Sequence, residues 1–149
     1  MGQPRLRFEE LAPEGIAKLR ALEHFLNAKA GLEANLREFV RLLASRLNGC
    51  EFCTKLHTAE LHKMNESSDR IESLLDWRTS DAYTERERSA LGWAEAVTNI
   101  QQGHAPDAVY ESLRKHFTDV EITNLTFTIA NINTWNRLAI SLGAETQRG

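Results

Sequence analysis

The chain has 149 residues, of which 42% are hydrophobic and 26% charged, enough for one domain with a core of its own. Its formal net charge of −3 gives no basic surplus for a nucleic-acid partner, and no apolar run is long enough to span a bilayer. The first residues, Met1-Gly2-Gln3-Pro4-Arg5-Leu6-Arg7, lack the apolar stretch of a signal peptide, so a cytoplasmic protein is expected.

The chain reads as helical throughout, a single all-α domain over residues 1–149 with about six to seven helices. Most of its 3 prolines and 8 glycines fall at the edges of or between periodic segments, and no polar–apolar alternation is long enough for a strand. Pro13 suits the first turn of a helix running to about residue 30, with Ile16, Leu19, Leu22 and Leu26 on its apolar face, and Gly31 ends it. The next helix covers about residues 33–48, with a stripe of Leu36, Phe39, Val40, Leu43 and Leu47. Glu38 lies off that stripe, level with Leu42 and Ser45, where a helix residue is ordinarily solvated. Asn48-Gly49 is a stop signal. It puts Cys50 in the first turn of a new helix that fades near residues 65–69, and a short helical piece over about 70–75 follows.

Thr84 and Glu87 form a capping box that opens a helix to about residue 101. Residues 85–88 read as its solvated face. Gly103 breaks the helix, and Pro106 opens another to about residue 116. Thr118 and Glu121 form a second capping box for a last helix over about 119–142. That helix is apolar on more than one face through Val120, Ile122, Leu125, Phe127, Ile129, Ile132, Trp135 and Leu138, the pattern of a core helix with part of its surface available to another subunit. Trp93, Trp135 and Phe127 are expected in the core. The asparagines Asn124, Asn131, Asn133 and Asn136 are expected to hydrogen-bond across helices or subunits, the alternative being that Asn136 and Arg137 line a pocket.

The two cysteines of the chain stand as Cys50-Glu51-Phe52-Cys53, followed by Thr54-Lys55-Leu56-His57. On a helix, positions 50, 53 and 57 share one face. A thiolate in a first turn meets unpaired backbone N–H groups and the positive end of the helix dipole, which lowers its pKa. A histidine one turn further on can take a thiol proton. The helix terminus favours Cys50 as nucleophile, and the base favours Cys53. A dipole contribution of about 0.3–1 kcal/mol weighs less than a specific base, which tips the choice toward Cys53. Two other readings stand beside a redox couple. The cysteines can be small buried hydrophobes, or Cys50, Cys53, His57 and His62 can be zinc ligands, although a separation of five residues splays His57 and His62 by more than a quarter turn. His62 is expected at the surface. No cofactor-binding fingerprint is present, and no metal or cofactor is expected.

Glu38, then eleven residues, then Cys50-x-x-Cys53-x-x-x-His57 resembles the signature of the alkyl hydroperoxidase D-like proteins of the carboxymuconolactone decarboxylase superfamily. Leu47-Asn48-Gly49 before the motif, residues 84–96 and Asn133-Thr134-Trp135-Asn136-Arg137-Leu138 are similar to that family as well, so the likeness covers most of the chain. The resemblance implies an all-helical fold that assembles as a trimer or hexamer. It also implies a dithiol that reduces a hydroperoxide or disulfide substrate and is restored by an external dithiol. By the same resemblance, Cys53 attacks the peroxide, Cys50 closes the disulfide, His57 is the base and Glu38 orients it or relays protons to it. The chain departs from some members in having Phe52 where they have a histidine. Lactone-decarboxylating members generally lack the C-x-x-C pair, so its presence argues against that activity; a lactone-type decarboxylase or isomerase using His57 without cysteine redox is the alternative enzyme. A redox-sensing or metal-binding module is the non-enzymatic one.

Overall fold

The computed structural model describes residues 2–144. They form eight α-helices and one 3-10 turn, with no β-strand among them: α1 (Phe8–Leu11), α2 (Pro13–Ala28), α3 (Ala34–Asn48), α4 (Glu51–Lys63), α5 (Ser68–Glu72), the 3-10 turn Leu74–Asp76, α6 (Glu85–Thr98), α7 (Asp107–Arg114) and α8 (Asp119–Leu142). The class is the expected one. The helix count rises because α1 and α5, of four and five residues, are too short to carry a periodic signal.

The helix starts follow their local chemistry. Pro13 sits in the first turn of α2. Thr84 and Thr118 each accept a hydrogen bond from the backbone N–H three residues on, while Glu87 and Glu121 bond back to the cap, so both capping boxes form. α6 stops at Thr98, shorter than expected, and turns link it to α7.

α3 is the central helix, packing against α4, α6, α8 and the 3-10 turn. Every residue from Leu36 to Ser45 is buried, Glu38 among them, although an off-stripe helix residue is ordinarily solvated. A helix with neighbours all round has no solvent face for an off-stripe residue to occupy. α8 is correspondingly less central than its composition suggests. Its stripe of Ile122, Leu125, Ile129, Ile132 and Asn136 is buried, but Val120 and Phe127, seven residues apart on another face, are 68% and 47% exposed. Phe127 is therefore not a core residue. Trp93 and Trp135 are half-buried, and Trp93 Nε1 donates to Thr126 Oγ1.

Two kinds of polar network join these helices, one of ion pairs and one of amides. Arg70 of α5 pairs with Glu66 and with Glu87 of α6, and its guanidinium lies over the rings of Phe39 and Tyr83. Arg86 pairs with Glu33 and Glu121. Residues 86–88 are thus half-buried cross-links rather than a solvated face. In the second network, Asn48 Nδ2 donates to Asn133 Oδ1 and Asn136 Oδ1, Asn136 Nδ2 donates to Ser45 Oγ, and Asn133 Nδ2 reaches Thr98 Oγ1. The expected cross-helix bonding is found here for Asn133 and Asn136, linking α3, α6 and α8, and Asn124 Nδ2 reaches the Ala30 carbonyl. Asn131 Nδ2 is buried with no hydrogen-bond partner among the described residues, so the expectation fails at that amide nitrogen. No helix among the described residues is long and apolar enough to cross a membrane.

Candidate functional site

Gly49 closes α3 in the left-handed conformation, φ 72°, which its missing side chain permits. Cys50 then adopts an extended conformation and caps α4, with its sulfur accepting the Cys53 N–H at 3.3 Å. The helix begins at Glu51, one residue later than expected, because the chain leaves the Gly49 turn extended. Cys50 and Cys53 are joined by a disulfide, with Cα atoms 5.3 Å apart. Both are buried, Cys50 completely.

One turn beyond Cys53, His57 Nδ1 lies 2.7 Å from Glu38 Oε2. The other carboxylate oxygen, Oε1, accepts from Arg41 Nη1 at 2.7 Å. These three side chains are buried, with relative exposures of 5% for His57, 7% for Glu38 and 2% for Arg41. Burial alone would push the Glu38 carboxyl up. The hydrogen bond and charge of His57, together with the Arg41 guanidinium, outweigh that effect and hold it below the usual carboxylate range. An ionised carboxylate can only accept, so His57 Nδ1 donates and Nε2 is the ring's basic nitrogen.

Cys53 and His57 line a pocket of about 410 Å3. Phe52 and Leu56 of α4, both exposed, form one wall, and Ile132, Trp135 and Ala139 of α8 form another. The N-terminal helices close a third side with Phe8, Glu9, Arg20 and Glu23, Arg20 being paired with Glu9 at 3.0 Å. Cys50 does not line this pocket.

Cys50, Cys53, His57 and Glu38 are thus in one place. Asn136 and Arg137 are elsewhere. Asn136 is held in the network with Asn48 and Ser45, and Arg137 lines a shallow groove of about 250 Å3 with Val97, Ile100 and Ala130. His62 is exposed, and among the described residues no group of three or more His, Cys, Asp and Glu side chains is placed to hold a metal ion. Sequence reasoning missed Arg41, for which the only signal was an opposite charge three residues after Glu38. It also missed the pocket-lining residues of α1 and α2, which no local pattern connects to residue 53.

The chain matches the carboxymuconolactone decarboxylase family over residues 13–96. It is 33% identical to the uncharacterized protein YdfG of Bacillus subtilis (strain 168), with 93% of this chain and 94% of that protein covered. The crystal structure of ATU0492 from Agrobacterium tumefaciens, a protein of unknown function and candidate AhpD antioxidant defence protein, superposes with a TM-score of 0.91 at 38% identity, covering 99% of this chain and 100% of that one. An uncharacterized peroxidase-related protein from Silicibacter sp. TM1040 shares the fold, with a TM-score of 0.79 at 24% identity, covering 89% of this chain and 70% of that one.

Proposed function

The chain belongs to the carboxymuconolactone decarboxylase family as an AhpD-like member, and from that membership we propose that it is a thiol-dependent peroxidase acting on an organic hydroperoxide through the Cys50–Cys53 couple. The observation that carries the reading is the unequal placement of the two sulfurs. Cys53 and its neighbour His57 line an apolar-walled pocket, whereas Cys50 is fully buried outside it. Only Cys53 is offered to a small molecule.

In the reduced protein, His57 Nε2 takes the Cys53 thiol proton, and Glu38 at Nδ1 holds the imidazolium that results. The Cys53 thiolate attacks the terminal peroxide oxygen and the O–O bond breaks. The departing alkoxide takes the proton from His57 and leaves as an alcohol, and Cys53 is a sulfenic acid. The Cys50 sulfur then attacks the Cys53 sulfur, water departs, and the disulfide closes. An external dithiol returns the two electrons. Its thiolate attacks the Cys53 sulfur from the pocket, and Cys50 leaves as a thiolate at the N-terminus of α4, where the Cys53 N–H stabilises it. The second external thiol displaces Cys53 and completes the exchange. The same half-reaction run on other disulfides is a disulfide reductase activity. A reducing cytoplasm suits a pair that cycles in this way. The reading includes self-association as a trimer or hexamer, which the exposed Val120 and Phe127 on one face of α8 support.

The test is a thiol count on the reduced protein before and after one equivalent of cumene hydroperoxide. Both thiols should disappear together, release one equivalent of alcohol and return on adding a dithiol. The Cys50→Ser variant should stop at a sulfenic acid on Cys53, and Cys53→Ser should not react. Thiols that survive the hydroperoxide sink the peroxidase reading. If they also resist disulfide substrates, the redox reading goes with it.

A further inference from the structure

The Glu38–Arg41 pair poses a question that the redox cycle leaves open. A buried ion pair is on balance no more stabilising than apolar side chains of similar volume, because desolvation consumes most of the attraction. α3 otherwise fills its surroundings with Leu36, Phe39, Val40, Leu42 and Leu43, so the core does not need a guanidinium at position 41. Arg41 is 2% exposed, and its Nη2 is buried with no hydrogen-bond partner among the described residues. Its one side-chain contact to an acid is Oε1 of Glu38, the oxygen that His57 does not use.

Charge counting gives the pair a role. When Cys53 is a thiolate and His57 an imidazolium, the site holds two positive and two negative groups if Arg41 and Glu38 are included. Without Arg41 it holds a net negative charge inside the fold, which a buried environment resists by binding another proton. We infer that Arg41 is a positioning residue of the redox site: its buried guanidinium balances Glu38, so that the thiolate–imidazolium state of Cys53 and His57 carries no net charge. The inference rests on Cys53 as the nucleophile and His57 as its base.

Of the other charges near the site, Arg37 also interacts with Glu38, but Arg41 is the arginine that hydrogen-bonds the Glu38 carboxylate, and the rest are paired elsewhere or lie near solvent. Arg37 lies one turn earlier on α3 and spends Nη1 on the Leu32 carbonyl. Burial lowers the Arg37 pKa, as does the Arg41 charge, while Glu38 works the other way. Across the pocket, Glu9 of α1 and Arg20 of α2 neutralise each other near solvent, and Glu23 adds a negative group. α8 lines the pocket with uncharged side chains only. On α6, which also packs against α3, Glu87 and Glu95 are committed to Arg70 and Arg78.

The experiment measures the rate of Cys53 alkylation by iodoacetamide against pH in reduced protein carrying Cys50→Ser, so that one thiol is read. R41M removes the charge and keeps most of the volume, R41Q removes the charge and keeps a polar tip, and R41K keeps the charge. The pH midpoint should rise by about one unit or more in R41M and R41Q, the usual size for a neighbouring opposite charge, with the limiting rate at high pH unchanged. R41K should stay near the starting value. R41Q serves if R41M does not fold, as judged by circular dichroism. A folded R41M or R41Q with an unmoved midpoint overturns the inference, as does an R41K midpoint displaced as far as theirs. Alkylation does not involve peroxide. A shifted midpoint in a protein whose thiols ignore hydroperoxide therefore upholds the role of Arg41 while the peroxidase reading falls.

Discussion

Glu38 is ionised inside the fold because two partners hold it so, and that has a consequence for stability as well as chemistry. Burial works against the carboxylate, and the His57 hydrogen bond and charge, with Arg41, overcome it. A carboxyl whose folded pKa lies below its unfolded value contributes stability that is present above the unfolded value, about 4.3 for glutamate. That contribution is lost as the pH falls through the depressed folded value. Thermal unfolding between pH 5 and pH 3 should therefore be steeper in pH for the wild type than for Glu38→Gln; parallel curves would mean that Glu38 does not titrate as argued. Kinetically, His57→Gln should slow hydroperoxide oxidation of Cys53 by about 100-fold or more, the usual contribution of a general base, and a stopped-flow trace of thiol loss reads it. The spacing of Cys50, Cys53 and His57 was legible because all three lie in one short stretch, Cys50 capping α4 and the other two on its first turns. The burial of Glu38 was not, since it follows from which helices surround α3, and Arg41 was no more visible than any other helix arginine.

At the level of the elements, the boundaries that a local residue dictates were the legible ones. Pro13, Gly49 and the two capping boxes act through bonds within a few residues of themselves. The polar network of Ser45, Asn48, Thr98, Asn133 and Asn136 depends instead on α3, α6 and α8 meeting, and only its general character, amides bonding across helices, could be foreseen. The two kinds of feature should differ in cost. Thr118→Ala removes one cap, which is worth about 1 kcal/mol. Asn136→Ala removes a fully buried amide and strips one partner from Ser45, which keeps the Arg41 carbonyl, and from Asn48, which keeps Asn133, at about 1–3 kcal/mol for the lost buried bonds. Urea unfolding should rank Asn136→Ala as the more destabilised of the two. The reverse order would show that Ser45 and Asn48 find new partners once the amide is gone. The same network holds the end of α3, from which the chain turns at Gly49 into Cys50, so Asn136→Ala should also slow disulfide closure after peroxide attack.

For the whole molecule, the apolar surface left over matters as much as the core. α8 buries one stripe against α2, α3 and α6 and leaves Val120, Thr123, Phe127, Ala130 and Thr134 exposed along another, spaced three and four residues apart on one face. Ile100 is exposed too, and it shares with Ala130 and Thr134 the groove at the end of α6. An aromatic side chain in the middle of a face of small residues suits close helix packing against a second copy of the same face, and burying it there removes apolar area from water at about 25 cal/mol per Å2. This face is separate from the pocket that holds Cys53 and His57. If α8 is the contact through which copies associate, Phe127→Glu places a charge in an interface that has no partner for it. Sedimentation velocity should then show the wild type as a trimer or hexamer and Phe127→Glu as a smaller species, with the pH midpoint of Cys53 alkylation unmoved because no group of the redox site has changed. A variant that keeps the wild-type mass would place the contact on another surface. A variant that loses both mass and Cys53 reactivity would mean that a neighbouring copy supports the site.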